Sequence, residues 1–231
     1  MEKCTMNNPF DFFGKIYCIN MPEDTERKKQ VSKEFEKANI INRIEWISAA
    51  KPPKDFHIDL YRRNPAAEFG CSLSHITAIV NAINDKHDNI LILEDDITFV
   101  NNFSNILTNS LDELPNDWTG LYLGCTPVNK KKISKTLIKI NGWNTWGTYA
   151  YALNGKHLLK YFNHWAKSIT HPVAGNLYSP IDAILSSFMD SNSGGYATIP
   201  PIVKPKIGIV SSVDNSKYNS AGHDKHWNNL K

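Results

Sequence analysis

The chain has 231 residues, 41% of them hydrophobic, with 26 Lys and Arg against 23 Asp and Glu and a formal net charge of +3. That is enough apolar material for one sizeable core, and too balanced a charge for a protein that grips nucleic acid through a basic face. Cys4, Cys18, Cys71 and Cys125 are widely spaced, with no CxxC pair or Cys/His zinc pattern, so no disulfide framework is implied and most of them read as small buried hydrophobes.

The N-terminus lacks the basic-then-apolar pattern of a signal peptide, and no stretch approaches a membrane span. Taken as it stands, the sequence is expected to be cytoplasmic or peripheral at a membrane surface. A catalytic domain excised from a secretory-pathway protein reads the same way.

In chain order, Lys15 to Asn20 is the first strand. Met21-Pro22-Glu23-Asp24 then turns into a helix whose Val31, Phe35 and Ala38 fall on one face. Ile44 to Ala49 is a second strand and completes a right-handed βαβ unit. Lys51 to Pro65, rich in Pro, charge and aromatics, reads as a loop. A helix opens at Ala67-Glu68-Phe69-Gly70-Cys71-Ser72-Leu73-Ser74-His75 and carries Leu73, Ile76, Val80 and Ile83 on a stripe.

It leads into the most informative stretch, Ile90-Leu91-Ile92-Leu93-Glu94-Asp95-Asp96. Four bulky aliphatics read as a strand buried on both faces, so the acids emerge at the carboxyl edge, where α/β sheets bind ligands. Three adjacent carboxylates repel one another. A hard divalent cation, Mg²⁺ or Mn²⁺ beside a phosphate, relieves the repulsion; the alternative is that the acids only cap the next element.

Further on lie a helix from Asn102 to Leu114, a strand at Leu121 to Gly124, and a basic cluster, Lys130, Lys131, Lys132, Lys135 and Lys139, that reads as a solvated loop and edge strand. An aromatic segment from Trp143 to Leu153 precedes a helix at about Gly155 to Phe162. Ser179-Pro180-Ile181-Asp182 opens another helix, and the polar tail either wraps on the body or is disordered.

The order of these motifs resembles glycosyltransferase family 25, which includes bacterial lipooligosaccharide galactosyltransferases and collagen galactosyltransferases. The resemblance spans roughly Ile16 to Pro205. It rests on Ile19-Asn20 with Arg27, on Glu68 to His75, on Leu93-Glu94-Asp95-Asp96, on Asp117-Trp118 before Leu121 to Gly124, on Thr148 to Tyr151, and on Pro180-Ile181-Asp182. Ala67 stands where the family has Gly, and the segment between Ala50 and Ala67 is short. The resemblance implies a GT-A type fold, a Rossmann-like mixed sheet flanked by helices in a single domain. Within it, a nucleotide-sugar half would cover about 14–125, an acceptor half about 126–205 and a tail about 206–231. It further implies a UDP-sugar donor, UDP-galactose or UDP-glucose, a saccharide or hydroxylated acceptor, and an inverting reaction that forms a β-linkage.

On that reading Asp96, expected to be the most exposed acid, is the chief ligand of Mn²⁺ or Mg²⁺. Asp95 shares the metal or hydrogen-bonds the ribose, and Glu94 orients ribose or base or makes a structural hydrogen bond. Asn20 reads base or ribose, or forms an Asx-turn. Arg27 pairs with a phosphate or carboxylate, or with Glu23 along the helix. Ser74 and His75 are expected in the first turn of a helix, where free amides favour the donor's anionic groups. Asp182, opening its helix, is the candidate general base. Trp146 and Tyr151 are the candidate acceptor wall, drawn from the group Trp143, Trp146, Tyr149 and Tyr151. His223, Asp224 and His226 either close over the metal or belong to a solvated tail. Two other classes compete: a metal-dependent phosphohydrolase or nuclease, and a sugar-nucleotide or glycan binding module without catalysis.

Overall fold

A computed structural model describes residues 7–52, 65–127, 130–140, 145–170 and 180–207. A 3-10 turn at Pro9–Phe12 leads into β1 (Lys15–Asn20), α1 (Thr25–Lys37), β2 (Ile44–Ser48), α2 (Pro65–Asn84) and β3 (Asn89–Glu94). There follow β4 (Ile97–Phe99), α3 (Phe103–Glu113), β5 (Gly120–Pro127), β6 (Lys130–Lys132), β7 (Leu137–Ile140) and β8 (Thr145–Asn154). The described chain closes with α4 (Leu158–Thr170), α5 (Ile181–Ser191), β9 (Gly195–Thr198) and β10 (Val203–Pro205).

Eight strands form one mixed sheet in the order β2-β1-β3-β8-β5-β9-β7-β6, and β10 pairs with β4 apart from it. β1 is parallel to both β2 and β3, whereas β8 runs antiparallel between β3 and β5. The chain leaves β1 for one neighbour, β2, and returns past it to the other, β3. The strand order therefore reverses between the carboxyl ends of β1 and β3, the place where open α/β sheets form a ligand crevice. Ile19 lies opposite Glu94 there, and Asn20 ends β1.

Strand alternation sorts the core into two layers. Ile90 and Ile92 join Tyr17, Ile19 and Tyr151 under α2, α4 and α5. Leu91 and Leu93 join Ile16, Cys18, Val31, Phe35 and Leu107 on the opposite face, under α1 and α3. All four aliphatics of β3 are fully buried, each worth roughly 1.5–3 kcal/mol relative to exposure. α1 forms where expected. The Asp24 side chain accepts the Arg27 amide at 3.1 Å as N-cap, Val31 and Phe35 point inward, and Asn39 in the left-handed region ends the helix.

Two helices, α2 and α4, depart from the expected bounds and faces. α2 begins at Pro65, so Ser74 and His75 lie well inside it, and the free first-turn amides expected beside them are not there. The buried side of α2 is Ser74, His75, Ile76, Ala78, Ile79 and Ala82, while Leu73, Val80 and Ile83 are only half-buried. α4 runs past Phe162 because Trp165, Ala166 and Ile169 continue its apolar stripe. The Lys130 to Lys139 region is a hairpin at the sheet edge, with Leu137, Ile138 and Ile140 buried and Lys131 and Lys132 exposed. Cys18 and Cys125 are buried, Cys71 is half-buried and all three are free thiols; Cys4 lies outside the described residues. Among the described residues, no helix is long and apolar enough to cross a membrane.

Gly70 is where α2 touches the end of β2. A Cβ there would stand 2.5 Å from the Ala50 carbonyl oxygen and 2.9 Å from Pro52 Cδ. One turn later the Ser74 hydroxyl accepts the Ala50 amide at 2.8 Å and donates to the Gly70 carbonyl at 2.7 Å. Gly70→Ala is expected to destabilise the protein by about 1–2 kcal/mol, the overpacking cost exceeding the gain in helix propensity. Urea unfolding measures it, and an unchanged midpoint would show that this contact does not hold helix to strand.

Candidate active site

The acids at the end of β3 are divided between the two faces of the sheet. Glu94 is still in the strand and keeps the parity of Ile90 and Ile92, so its side chain faces α2. Asp95 and Asp96 form the turn into β4 and reach α1 on the other side.

On the α1 side, one guanidinium serves both aspartates. Arg27 Nη2 pairs with Asp95 Oδ1 and lies 3.0 Å from Asp96 Oδ2, while its Nε stands 3.8 Å from Asp24 Oδ2. Asn20 Nδ2 donates to Asp95 Oδ2 at 2.7 Å and to the Asp24 carbonyl at 3.2 Å. Both oxygens of Asp95 are thus engaged by protein. Glu23 pairs with Lys51 rather than Arg27. Glu94, not Asp96, is the most exposed of the three acids, at 28% against 21% for Asp96 and 7% for Asp95, because Glu94 lines the cavity whereas Arg27 covers the two aspartates. Burial pushes Asp95 up in spite of Arg27 and Asn20. Burial and then Glu94 push Asp96 up to about 7, with Arg27 opposing and Asp95 adding to the rise.

On the α2 side, Glu94 Oε1 accepts the Thr148 hydroxyl at 3.1 Å and lies 3.5 Å from His75 Nε2. Burial disfavours its charge, but His75 and Thr148 outweigh burial and hold Glu94 below the usual carboxylate range. His75 is fully buried; its Nδ1 is 3.1 Å from the Tyr151 hydroxyl, and the two rings stack at 5.6 Å. Cys71 lies one turn before His75 on the same helix face, its thiol raised by burial and then by Glu94 and Asp182. A cavity of about 300 Å³ opens between these groups, lined by Asn20, Arg27, Cys71, His75, Glu94 and Asp95 among others.

Two donor sets can hold a cation. Asp95 and Asp96 offer hard oxygens, and three carboxylates share one guanidinium. Hard oxygens gathered where a single guanidinium is shared among Asp24, Asp95 and Asp96 suit a divalent cation, which fits there. Cys71, His75 and Glu94 bring one sulfur, one nitrogen and one oxygen within 4.8 Å of one another. Sequence reading passed over this second set, although Cys71 and His75 stand at the i, i+4 spacing that places two ligands on one helix face.

The other expected residues fall in different places. The Ser74 hydroxyl is engaged by Ala50 and Gly70, which leaves the residue as cavity wall. Tyr151 is fully buried on the α2 side and hydrogen-bonded to His75, so its ring offers no face to a sugar and the acceptor-wall expectation is withdrawn for it. Trp146, at the open end of β8, is 47% exposed and keeps a free surface. Asp182 is half-buried in the first turn of α5, where its Oδ1 accepts the Ala183 amide at 2.8 Å. Its helix packs on the Glu94 face of the sheet, with Ile181, Ile184 and Leu185 in the layer of Ile90 and Ile92. Trp143, His223, Asp224 and His226 lie outside the described residues.

Arg27→Met would leave two largely buried carboxylates without their shared cation. The expected loss is about 3 kcal/mol, the low end for a broken buried pair because Asp96 keeps some solvent. The loss should shrink as pH falls through about 7, where Asp96 takes up its proton, since a protonated carboxyl needs no cation. Denaturant unfolding across pH measures this, and a variant as stable as the parent at pH 8 would contradict the pairing.

Residues 13–176 match the family model described as glycosyltransferase family 25 (LPS biosynthesis protein). Over 176 residues the chain is 28% identical to the procollagen lysyl hydroxylase and glycosyltransferase of Acanthamoeba polyphaga mimivirus, an alignment covering 65% of this chain and 19% of that protein. The chain therefore spans about a fifth of the length of that curated relative. Among solved structures, a glycosyltransferase involved in glycosylation of the major capsid of PBCV-1 is similar at a TM-score of 0.43 and 12% identity, over 68% of this chain and 67% of the other. Mannose-1-phosphate geranyltransferase from Thermus thermophilus is similar at 0.41 and 9% identity, over 79% and 58%. A197 from STIV is similar at 0.41 and 12% identity, over 86% and 96%.

Proposed function

The chain belongs to glycosyltransferase family 25, and we propose that it moves a hexose, galactose or glucose, from a UDP-sugar to a hydroxyl of a saccharide or hydroxylated acceptor, with a β-linkage formed. The observation that carries this reading is the gathering of Asn20, Arg27, Glu94, Asp95 and Asp96 at the β1/β3 switch point, beside a cavity of about 300 Å³. We take the chain as one GT-A type domain, because a single continuous sheet links the donor half, about 14–125, to the acceptor half, about 126–205.

Asp96, assisted by Asp95, would hold Mn²⁺ or Mg²⁺. When bound, the ion supplies positive charge against the diphosphate as it departs. Arg27 sits on the same two carboxylates and is near enough to offer its remaining donors to a phosphate oxygen. Asn20 and Glu94 flank the cavity and orient ribose and base by hydrogen bonds; His75 and Thr148 fix the Glu94 carboxylate in place. The exposed ring of Trp146 stacks on the acceptor sugar.

In the transfer itself, the acceptor oxygen forms a bond to the anomeric carbon while the bond from that carbon to the diphosphate oxygen breaks. The electron pair leaves on the diphosphate, and the hydroxyl proton passes to the Asp182 carboxylate. Attack from the face opposite the leaving group inverts the anomeric centre.

The test is incubation of the full chain with UDP-galactose or UDP-glucose, Mn²⁺ and a saccharide panel, following UDP release and the product's anomeric coupling by NMR. Release of UDP with a β-configured product is expected. An α-configured product overturns the inverting mechanism, and no UDP release from either donor overturns the donor assignment.

A further inference from the structure

We infer that Cys71, His75 and Glu94 form a binding site for a borderline divalent cation of the zinc class, separate from the oxygen set of Asp95 and Asp96. Three ligand types converge there within 4.8 Å, two of them from one face of α2 and the third from the end of β3.

His75 is the strongest pointer. Its Nε2 is buried, makes no close hydrogen bond and stands 3.5 Å from Glu94 Oε1. Its Nδ1 is tied to the Tyr151 hydroxyl at 3.1 Å. When Nδ1 donates to that oxygen, Nε2 is left to bind a cation shared with Glu94. A metal-bound imidazole is ordinarily oriented in this way by its second nitrogen. Thr148 donates to the same Glu94 oxygen, Oε1, at 3.1 Å, so two of the three ligands are already positioned.

The donor set selects the ion. A sulfur, an imidazole nitrogen and a carboxylate oxygen suit Zn²⁺, whereas Mg²⁺ and Mn²⁺ favour oxygen throughout. Cys71, His75 and Glu94 all line the cavity, so a fourth position faces open space rather than protein, as in zinc centres with an exchangeable ligand.

Co²⁺ is the probe, added to the metal-free full chain without nucleotide. The expected result is tetrahedral visible bands and a thiolate-to-cobalt charge-transfer band at one equivalent, displaced by Zn²⁺. Cys71→Ser should lose the charge-transfer band and bind at least about tenfold more weakly, while Asp96→Asn keeps it. A zinc-edge absorption spectrum of the parent gives a second answer that needs no variant: one sulfur at about 2.3 Å with nitrogen and oxygen at about 2.0–2.1 Å. Absence of the charge-transfer band, its survival in Cys71→Ser, or a zinc shell with no sulfur each overturns the site. Because no donor enters these measurements, their failure leaves glycosyl transfer untouched, and the reverse holds.

Discussion

Asp96→Asn is expected to slow sugar transfer by about 10³-fold and yet to raise the stability of the metal-free protein at pH 8. The two effects have one cause. Burial and the neighbouring Glu94 and Asp95 lift the Asp96 carboxyl from 3.8 to about 7, with Arg27 only partly opposing them. An acid whose folded pKa lies above its unfolded value favours folding most when protonated. The stability it contributes is complete below about pH 4 and is lost as pH rises through about 7.

Asn cannot ionise, so the variant escapes that loss. At pH 8 without divalent cation it should exceed the parent by about 2 kcal/mol, roughly half the full linkage value because Asp96 keeps some solvent and its contact with Arg27. The two proteins should converge toward about pH 4. Thermal or urea unfolding from pH 4 to 8 measures the difference. A variant less stable than the parent at pH 8 would show that Asp96 is satisfied by the protein alone.

Asp182→Asn carries the second large effect, a fall in transfer of about 10²–10⁴-fold with binding of the UDP-sugar unchanged. The fold should survive. The native Oδ1 accepts the Ala183 amide at 2.8 Å, and an Asn side-chain oxygen can accept the same bond in the first turn of α5. The discriminating comparison is single-turnover transfer against donor affinity. Parental turnover in a folded variant that binds donor would remove Asp182 from proton transfer.

Much of the donor half could be read from local pattern. β1, α1, β2 and β3 follow from apolar runs and 4- and 3-residue steps, and Asp24 caps as its position before the Arg27 turn implies. The acceptor half was harder for a physical reason. Gly195-Tyr196-Ala197-Thr198 has no aliphatic run, and it is a strand only because β5 and β7 flank it. β4 and β10 are three residues each and exist as a pair.

The site shows the same limit. Three acids in a row were legible as a charged sheet edge but were expected to emerge together, whereas the structure sends Glu94 to the α2 face and Asp95 and Asp96 to α1. Which helix covers which face was not legible. Hence the partnership of Asp95 and Asp96 with Arg27, and of Glu94 with His75, came only with the tertiary structure. The His75 to Tyr151 contact joins residues 76 apart in sequence, and it turned an expected sugar-binding ring into a buried prop. The Cys71 and His75 pair was within reach of sequence spacing, but α2 starting at Pro65 moved both residues away from the helix terminus where they were expected.

On the proposed function, the acids at the β1/β3 switch point hold the nucleotide diphosphate through a divalent cation. Calorimetric titration of UDP into the full chain, with and without Mn²⁺, on the parent and on Asp96→Asn, tests it most directly. The parent should bind UDP at least about tenfold more tightly with Mn²⁺, a gain of about 1.4 kcal/mol, and the variant should show no dependence on the ion. Equal UDP affinity in the parent with and without Mn²⁺, or the same gain in Asp96→Asn, would contradict the account.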